Sequence, residues 1–441
     1  MNFLTFKGGI HPPEFKEATE HLAIEKAIDP SVVAIPLQQH IGAPCEAIVK
    51  AGDRVLVGQK IGEAKGFVSS PVHSSVSGEV KSISMMPSVT GGEVLSVVIE
   101  SDGQNEVDPS VKPKGKLENL KPAEIIEIIK EAGIVGMGGA TFPTHVKLSP
   151  PPEKKIDTII LNGAECEPYL TADHRLMLEK PEDVVFGLIA LMKAVGVEKG
   201  YIGIENNKPD AIETMKKAAS SYSNIEVVAL YTKYPQGAEK QLIYACTKRE
   251  VPSGGLPMDV GVIVNNVGTA AQVATAIKTG MPLVERITTV SGNGVKTPKN
   301  LLIKIGVSIN SIIEQCGGYV GEPGKILMGG PMMGLAQPSD EVVTTKGSSG
   351  ILVFTGEEAE VPEASACIRC GKCVDICPAF LQPLHISNYS FNNMMESAEK
   401  YRALDCIECG SCSFICPAKI PLLQSIRVAK RYIIAKKRKQ A

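Results

Sequence analysis

Two cysteine runs near the end of the chain share one spacing: Cys367-x2-Cys370-x2-Cys373-x3-Cys377-Pro378 and Cys406-x2-Cys409-x2-Cys412-x3-Cys416-Pro417. A run of this kind wraps three thiolates around one [4Fe–4S] cube and sends its fourth cysteine to a second cube. We therefore predict two clusters. One is expected on Cys367, Cys370, Cys373 and Cys416, and the other on Cys406, Cys409, Cys412 and Cys377.

Structural zinc is the main alternative for these cysteines. Zinc sites usually combine two separated Cys-x2-Cys pairs, often with histidine, whereas neither run here contains a histidine. Disulfides are disfavoured because no secretory signal accompanies the cysteines. We expect the remaining four to be small buried side chains: Cys45, Cys166, Cys246 and Cys316.

The composition limits the class of protein. A chain of 441 residues has room for several domains, and 44% hydrophobic with 21% charged residues is typical of a globular protein. The net charge of −2 gives no general attraction to nucleic acid, so no nucleic-acid partner is expected. No apolar run approaches the ~18 residues of a membrane span, so we expect no membrane-spanning segment.

Residues 1–105 comprise an N-terminal segment and a module in which, from about 30 to 105, short strands are separated by glycine turns, a pattern typical of a small all-β module. The stretches GDRVLVGQKIGEA (52–64) and SSPVHSSVSGEVKSI (69–83) resemble lipoyl-like barrel-sandwich modules. No lysine stands where lipoylation would need it, so we interpret the module as a scaffold. His73 is expected in a surface loop.

From 119 to 280 the pattern changes to alternating strands and helices, which predicts βαβ units and a mainly parallel sheet. Ligands of such sheets bind beyond the carboxyl ends of the strands. The predicted strands cover 158–161, 201–204, 225–230 and 260–264, and the predicted helices cover 182–195, 210–220, 239–248 and 270–278.

Four loops of this region carry polar or glycine-rich sequences typical of a nucleotide or flavin site. They are Gly136–Pro143 with Lys147 nearby, Asn162–Pro168, Tyr234–Glu239 and Asn265–Thr269. Glycines let backbone N–H groups approach a phosphate, and a lysine adds positive charge. One such loop alone is often only a turn, but four in one parallel-sheet domain favour a flavin or nucleotide.

The stretches GMGGATFPTHVKL, NGAECEP, YPQGAEKQLIY and VNNVGT resemble the flavin-binding subunit of respiratory complex I. The chain departs from that family at Met137, where arginine is usual, and at Ala238, which replaces the first of two glutamates. The resemblance implies FMN contacts at Gly136, Gly138, Gly139, Lys147, Asn162, Glu165, Gly237, Asn265 and Asn266. It implies NADH contacts at Phe142, Glu167, Tyr234 and Glu239.

The last part of the chain divides into three segments. Residues 283–355 resemble the β-grasp module of the soluble-ligand-binding (SLBB) type, and we assign no ligand to it. Residues 360–425 form the predicted α-helical ferredoxin domain with its two clusters. Residues 426–441 are a basic tail, which is either solvated or attracted to anionic lipid or an acidic partner.

Taken together with the opening GGIHPP (8–13), this order resembles the RnfC family of the Rnf electron-transport complexes. The predicted fold class is multidomain α/β: a lipoyl-like module, a Rossmann-like FMN/NAD domain, an SLBB-like module and a two-cluster ferredoxin domain. The resemblance implies a peripheral, NAD(H)-side subunit of an ion-translocating ferredoxin:NAD⁺ oxidoreductase at the cytoplasmic face of the cell membrane.

In that role NAD(H) would exchange a hydride with FMN, and electrons would pass singly through two clusters to partner subunits, including a ferredoxin-type iron–sulfur subunit. A flavin is required between a hydride carrier and one-electron clusters. Two alternatives stay open. One is a soluble flavin/iron–sulfur reductase similar to cobalamin reductase, and the other is a cluster-bearing scaffold that has lost its flavin.

Overall fold

Four sheets and a helical C-terminal region make up the computed structural model, which describes residues 3–440. The strands are β1 Ile24–Lys26, β2 Val32–Pro36, β3 Glu46–Ala47, β4 Arg54–Val55, β5 Lys60–Glu63, β6 Val72–His73, β7 Gly78–Pro87, β8 Glu93–Ser101, β9 Thr158–Gly163, β10 Lys199–Glu205, β11 Ile225–Leu230, β12 Val262–Asn266, β13 Glu285–Ser291, β14 Lys299–Lys304, β15 Pro323–Met328, β16 Leu335–Ala336 and β17 Gly350–Thr355. The helices are α1 Pro122–Glu131, α2 Thr144–Lys147, α3 Ala172–Glu179, α4 Pro181–Val195, α5 Pro209–Ala218, α6 Glu239–Thr247, α7 Val267–Thr279, α8 Ile309–Gln315, α9 Gly356–Ala359, α10 Lys372–Asp375, α11 Pro383–Phe391, α12 Met395–Lys400, α13 Ser411–Ile415 and α14 Leu422–Gln440.

The N-terminal module is a barrel sandwich of two antiparallel sheets, β2-β8-β7-β4 and β3-β5-β6. Alternating apolar side chains such as Val33 and Ile35 of β2 face its interior, as expected for half-buried strands. The expectation that His73 lies in a surface loop is wrong. It lies on β6 and is buried, and its burial lowers the pKa of the imidazole well below the ordinary value.

The second domain is built on a four-stranded, fully parallel sheet in the order β11-β10-β9-β12. Its central strands β9 and β10 are buried along most of their length because helices cover both faces. Helices α4 and α7 cross so closely that a Cβ at Gly187 would lie 1.9 Å from the carbonyl oxygen of Ala270. This close crossing fixes α7, whose first turn follows directly from the end of β12.

The third sheet is six-stranded, in the order β1-β14-β13-β17-β15-β16. Strand β1 pairs in parallel with β14, where Ile24 lies opposite Asn300. Residues 24–26, which we grouped with the N-terminal module, therefore complete the sheet of the SLBB-like module.

The C-terminal region contains the two cysteine runs as matching structures. Gly371 and Gly410 occupy equivalent positions with φ of 76° and 77°, a left-handed conformation that glycine adopts without strain. Each precedes a short helix, α10 or α13, and the long helix α14 packs over both α11 and α13. Most of the predicted basic tail belongs to α14. No helix in residues 3–440 is long and apolar enough to cross a bilayer.

Candidate cofactor sites

The predicted flavin residues meet at the carboxyl edge of the parallel sheet. Asn162 is near the end of β9, and its side-chain Nδ2 donates to the carbonyl of Gly237 at 2.8 Å. Asn266 ends β12 and caps α7, since its Oδ1 accepts from the N–H of Gly268 at 2.8 Å. Asn266 Nδ2 also approaches the carbonyl of Asn162 at 3.5 Å, so amide groups link three loops far apart in sequence at one edge.

The glycine-rich loop lies against the same edge. A Cβ at Gly138 would lie 2.7 Å from Asn266 Nδ2, so only glycine lets the loop approach the Asn266 side chain this closely. Asn266 is itself held in place, because its Nδ2 donates to Asp173 Oδ2 at 2.6 Å. Burial and then the neighbouring Glu165 carboxylate raise the pKa of Asp173.

Lys147 and Glu239, predicted to contact FMN and NADH respectively, lie together. The Lys147 ammonium donates to Glu239 Oε1 and to the carbonyl of Val264, both at 3.0 Å. Lys147 ends the short helix α2 just after the glycine loop, and Glu239 begins α6. The pair is part-buried, so the lysine is directed towards the strand ends and not towards bulk solvent.

A test of whether this edge fits a polar ligand comes from Asn265. Its side chain is 4% exposed, yet its Nδ2 has no hydrogen-bond partner within the described structure. A buried amide donor without a partner is costly. Gly139 adds open space, because a Cβ there would meet no heavy atom within 4 Å. Both features fit FMN, with its many acceptor oxygens, at this edge.

Buried lysines shape the loop that follows β9. The Lys16 ammonium, from the N-terminal segment, donates to the carbonyls of Glu165 and Glu167 at 3.0 Å each. Lys208 donates to the carbonyl of Ala164 at 2.8 Å from another direction. The Glu165 carboxylate accepts from two N–H groups at the start of α3, so it acts here as a helix cap. The loop is therefore held by its carbonyl groups.

Glu167 is bound by the SLBB-like module. Its carboxylate accepts from the N–H groups of Met332 and Met333 at 3.0 and 2.9 Å. Burial raises the pKa of Glu167 to about 7, although these two N–H groups act in the opposite direction. The predicted NADH contact of Glu167 stays a prediction, and its position here joins two domains.

Tyr234 joins the flavin domain to the ferredoxin domain. It is 1% exposed, and its hydroxyl donates to the carbonyl of Cys409 at 2.8 Å. Nearby, Gln241 Nε2 donates to the carbonyl of Pro378 at 3.0 Å, and the N–H of Gly9 donates to Ile376 at 2.8 Å. The predicted NADH contact of Tyr234 stays a prediction, but its hydroxyl is directed at a cysteine run.

Phe142, another predicted NADH contact, is half-buried in the glycine loop. Its carbonyl oxygen accepts a hydrogen bond from the N–H of Gly136.

The eight cysteines surround two separate cavities. The first, which we call the proximal site, is lined by Cys377, Cys406, Cys409 and Cys412. The second, which we call the distal site, is lined by Cys367, Cys370, Cys373 and Cys416. These are the two sets predicted from the spacing, each with three thiols of one run and the fourth of the other.

The thiols fit cubes better than single ions. Within residues 3–440, no group of three or more potential ligands converges closely enough to hold one metal ion. Each set of four instead encircles a cavity, as a cube with a thiolate at each iron requires. Backbone N–H groups of Arg369 and Glu408 approach the sulfurs of Cys367 and Cys406 at 3.4 Å, at equivalent places in the two runs.

The most prominent residue that the sequence analysis missed is Arg286 on β13. Its guanidinium is buried and donates to the carbonyls of Met137, Lys346 and Ser348. It thereby ties the glycine loop to the SLBB-like module. Lys16, Lys208 and Asp173 were also missed. Of these residues, only Arg286 could have been recognised from the local sequence, because it is a charged residue at a position of β13 that faces the interior.

We expect Arg286→Met to loosen the glycine loop and weaken FMN binding by roughly tenfold or more, because charge-assisted hydrogen bonds each contribute about 1.5–3 kcal/mol. Fluorescence titration of the flavin-free protein with FMN measures the affinity. Lys346→Met is the matched control, since that ammonium is also buried but donates to Pro71 and Gly133 instead. Equal losses of FMN affinity in both variants would show a general loss of stability.

Comparison with known proteins assigns the same modules. Family models match as the RnfC barrel sandwich hybrid domain over residues 4–104, the Nuo51 FMN-binding domain over 129–275, the SLBB domain over 287–336 and a 4Fe-4S dicluster domain over 359–417. The chain is 58% identical over 435 residues to the RnfC protein of the Na⁺-translocating ferredoxin:NAD⁺ oxidoreductase complex of Acetobacterium woodii, covering 99% of this chain and 98% of that protein.

The chain belongs to the RnfC family. Another RnfC relative, from the proton-translocating ferredoxin:NAD⁺ oxidoreductase complex of Clostridium ljungdahlii, is 50% identical over 90% of this chain and 86% of its own length. The RnfC relative from the ion-translocating oxidoreductase complex of Rhodobacter capsulatus is 43% identical over 98% of this chain and 83% of its own length.

A solved structure with a similar fold is that of an NAD⁺-reducing [NiFe]-hydrogenase in the air-oxidized state. It has a TM-score of 0.50 at 18% identity and covers 75% of this chain and 67% of that chain. The predicted family, fold class and cofactor classes of this RnfC chain are therefore confirmed.

Proposed function

We propose that this chain is the NAD(H)-side subunit of an ion-translocating ferredoxin:NAD⁺ oxidoreductase complex, positioned at the cytoplasmic face of the membrane. Full-length similarity to RnfC proteins of such complexes supports this role over that of a soluble reductase. The observation that carries the proposal is the hydrogen bond from Tyr234 to Cys409, which places a four-thiol site directly against the flavin domain.

The flavin domain supplies a polar site at its strand ends. Gly138 and Gly139 allow close approach of the glycine loop, and Lys147 supplies positive charge for a phosphate. Asn162, Asn265 and Asn266 supply amide groups, and that of Asn265 has an unpaired buried donor within the described residues. We retain Glu167 and Glu239 as the residues expected nearest to NADH.

When bound, FMN exchanges a hydride with NAD(H) and releases electrons one at a time, and each [4Fe–4S] cluster carries one electron. The chain's own residues set the order of the sites. Cys377, Cys409 and Cys412 are buried, and Cys409 packs with Tyr234 of the flavin domain, whereas Cys367 and Cys370 are exposed. We therefore assign the proximal site to the flavin side and the distal site to the partner side of the relay.

The test is anaerobic purification followed by assays for iron, sulfide and flavin and by titration with NADH. We expect about eight iron atoms and one FMN for each chain, with the visible absorption bleached by NADH. A protein with full iron but no flavin, and no response to NADH, would contradict the flavin half of the proposal.

A further inference from the structure

The two thiol sites differ in the charge around them. Among the described residues, no charged side chain lines the proximal cavity. The distal cavity is lined by two cations, Arg369 and Lys372, and by no carboxylate of the same described region. Since the two runs are otherwise closely alike, this difference is a local property of the distal site.

The equivalent positions of the two runs show the same contrast. Arg369 corresponds to Glu408, and both adopt a left-handed backbone conformation, with φ of 54° and 58°. Glu408 is neutralised inside the domain by Arg427 and Lys430, at 2.9 and 2.6 Å. Burial raises the pKa of Glu408, but the hydrogen bonds and charge of these cations outweigh it and leave that pKa lowered.

The cations of the distal site have no such partners. Arg369, Lys372 and Lys419 are exposed, and none forms an ion pair within the described part of the chain. Lys419 lies between Ala418 and Ile420, both of which line the distal cavity. Ile368 lies among them with its side chain 68% exposed. We call Ile368, Arg369, Lys372 and Lys419 the basic face.

We propose that the basic face docks an acidic iron–sulfur protein of the ferredoxin type, so that electrons pass between its cluster and the distal site. This inference rests on the proposed function and adds to it the surface and the charge of the partner. Exposed cations around an apolar centre attract a partner of opposite charge and accelerate its association.

A protein is favoured over a lipid surface because the basic face surrounds thiols. Cys367 and Cys370 are exposed at the same place, so whatever covers the face also covers the distal site. An electron carrier gains from this arrangement, whereas a lipid headgroup accepts no electron. Exposed Glu363 and Asp375 are close in sequence, but neither lines the cavity.

The experiment measures association of the full chain, with flavin and clusters bound, with a purified acidic 2[4Fe–4S] ferredoxin under anaerobic conditions. In the variant Arg369→Glu/Lys372→Glu we expect the association rate to fall roughly tenfold or more at low salt, with the difference shrinking as salt screens the charges. The matched control is Lys50→Glu/Lys216→Glu, which reverses two exposed lysines on other domains.

Lys419→Glu tests the same face without altering a residue that lines the cavity, so it decides the question if the double variant loses iron. Unchanged ferredoxin association in Lys419→Glu and in an iron-replete double variant would overturn the proposal. The proposal would also be overturned if these variants lost binding to anionic phosphatidylglycerol vesicles while their association with ferredoxin stayed intact.

Bleaching by NADH is measured in every variant. Failure of bleaching in the unaltered protein would remove the proposed function itself. Intact bleaching with charge-insensitive ferredoxin association would remove only the docking inference.

Discussion

Cys409→Ala is expected to isolate the distal site from NADH, whereas Cys370→Ala is expected to leave the proximal site reducible. Each variant should lose about four of eight iron atoms, because each removes one ligand of one cube. Their consequences differ because Cys409 lies against Tyr234 of the flavin domain, while Cys370 is exposed at the distal site.

Electron paramagnetic resonance after addition of NADH distinguishes the two outcomes. In Cys370→Ala the signal of the remaining site should appear with NADH alone. In Cys409→Ala the remaining site should respond to dithionite but only slowly, if at all, to NADH. Cys246→Ala, which changes a cysteine outside both sites, is the control. Equal and rapid reduction by NADH in both cluster variants would refute the assigned order.

Gly138→Ala is expected to weaken FMN binding while leaving the iron content unchanged. The added Cβ would lie 2.7 Å from Asn266 Nδ2 and 3.0 Å from Asn266 Cβ. Asn266 cannot move freely, because it is bonded to Asp173 and to the first turn of α7. Overpacking of this kind typically costs about 1–3 kcal/mol, so FMN affinity should fall roughly tenfold or more.

Gly356→Ala is the matched control, outside the flavin domain. A Cβ there would meet no heavy atom within 4 Å, so we expect little change in FMN binding. Flavin content after gel filtration and iron content together report the result. A Gly138→Ala protein that retains stoichiometric FMN would show that Asn266 does not shape the flavin site.

The grouping of the eight cysteines around two cavities was predictable because it follows from their local spacing. Three ligands within seven residues leave little freedom, and the crossing of the fourth follows from the same geometry. The strands and helices of the flavin domain were predictable for a similar reason. Strand β11, for example, occupies the predicted residues 225–230, since a short apolar run bounded by turns gives a clear signal.

The contacts that fix the flavin loops were not predictable. Lys16 reaches carbonyls about 150 residues away in sequence, and Tyr234 reaches Cys409 across the boundary of two domains. No periodic pattern distinguishes a lysine that will be buried from one that will be solvated. The error at His73 has the same origin, because its burial comes from packing against residues distant in sequence, Lys346 among them.

Strand β1 has a consequence for biosynthesis. Ile24 emerges from the ribosome long before its partner Asn300, and Lys16 long before the loop that it holds. The barrel sandwich can fold early from contiguous residues, but the earliest-made segment must wait, unpaired, for most of the chain to be translated. Strand β1 therefore reaches its final position late in folding, after the flavin domain and β14 of the SLBB-like module have been made.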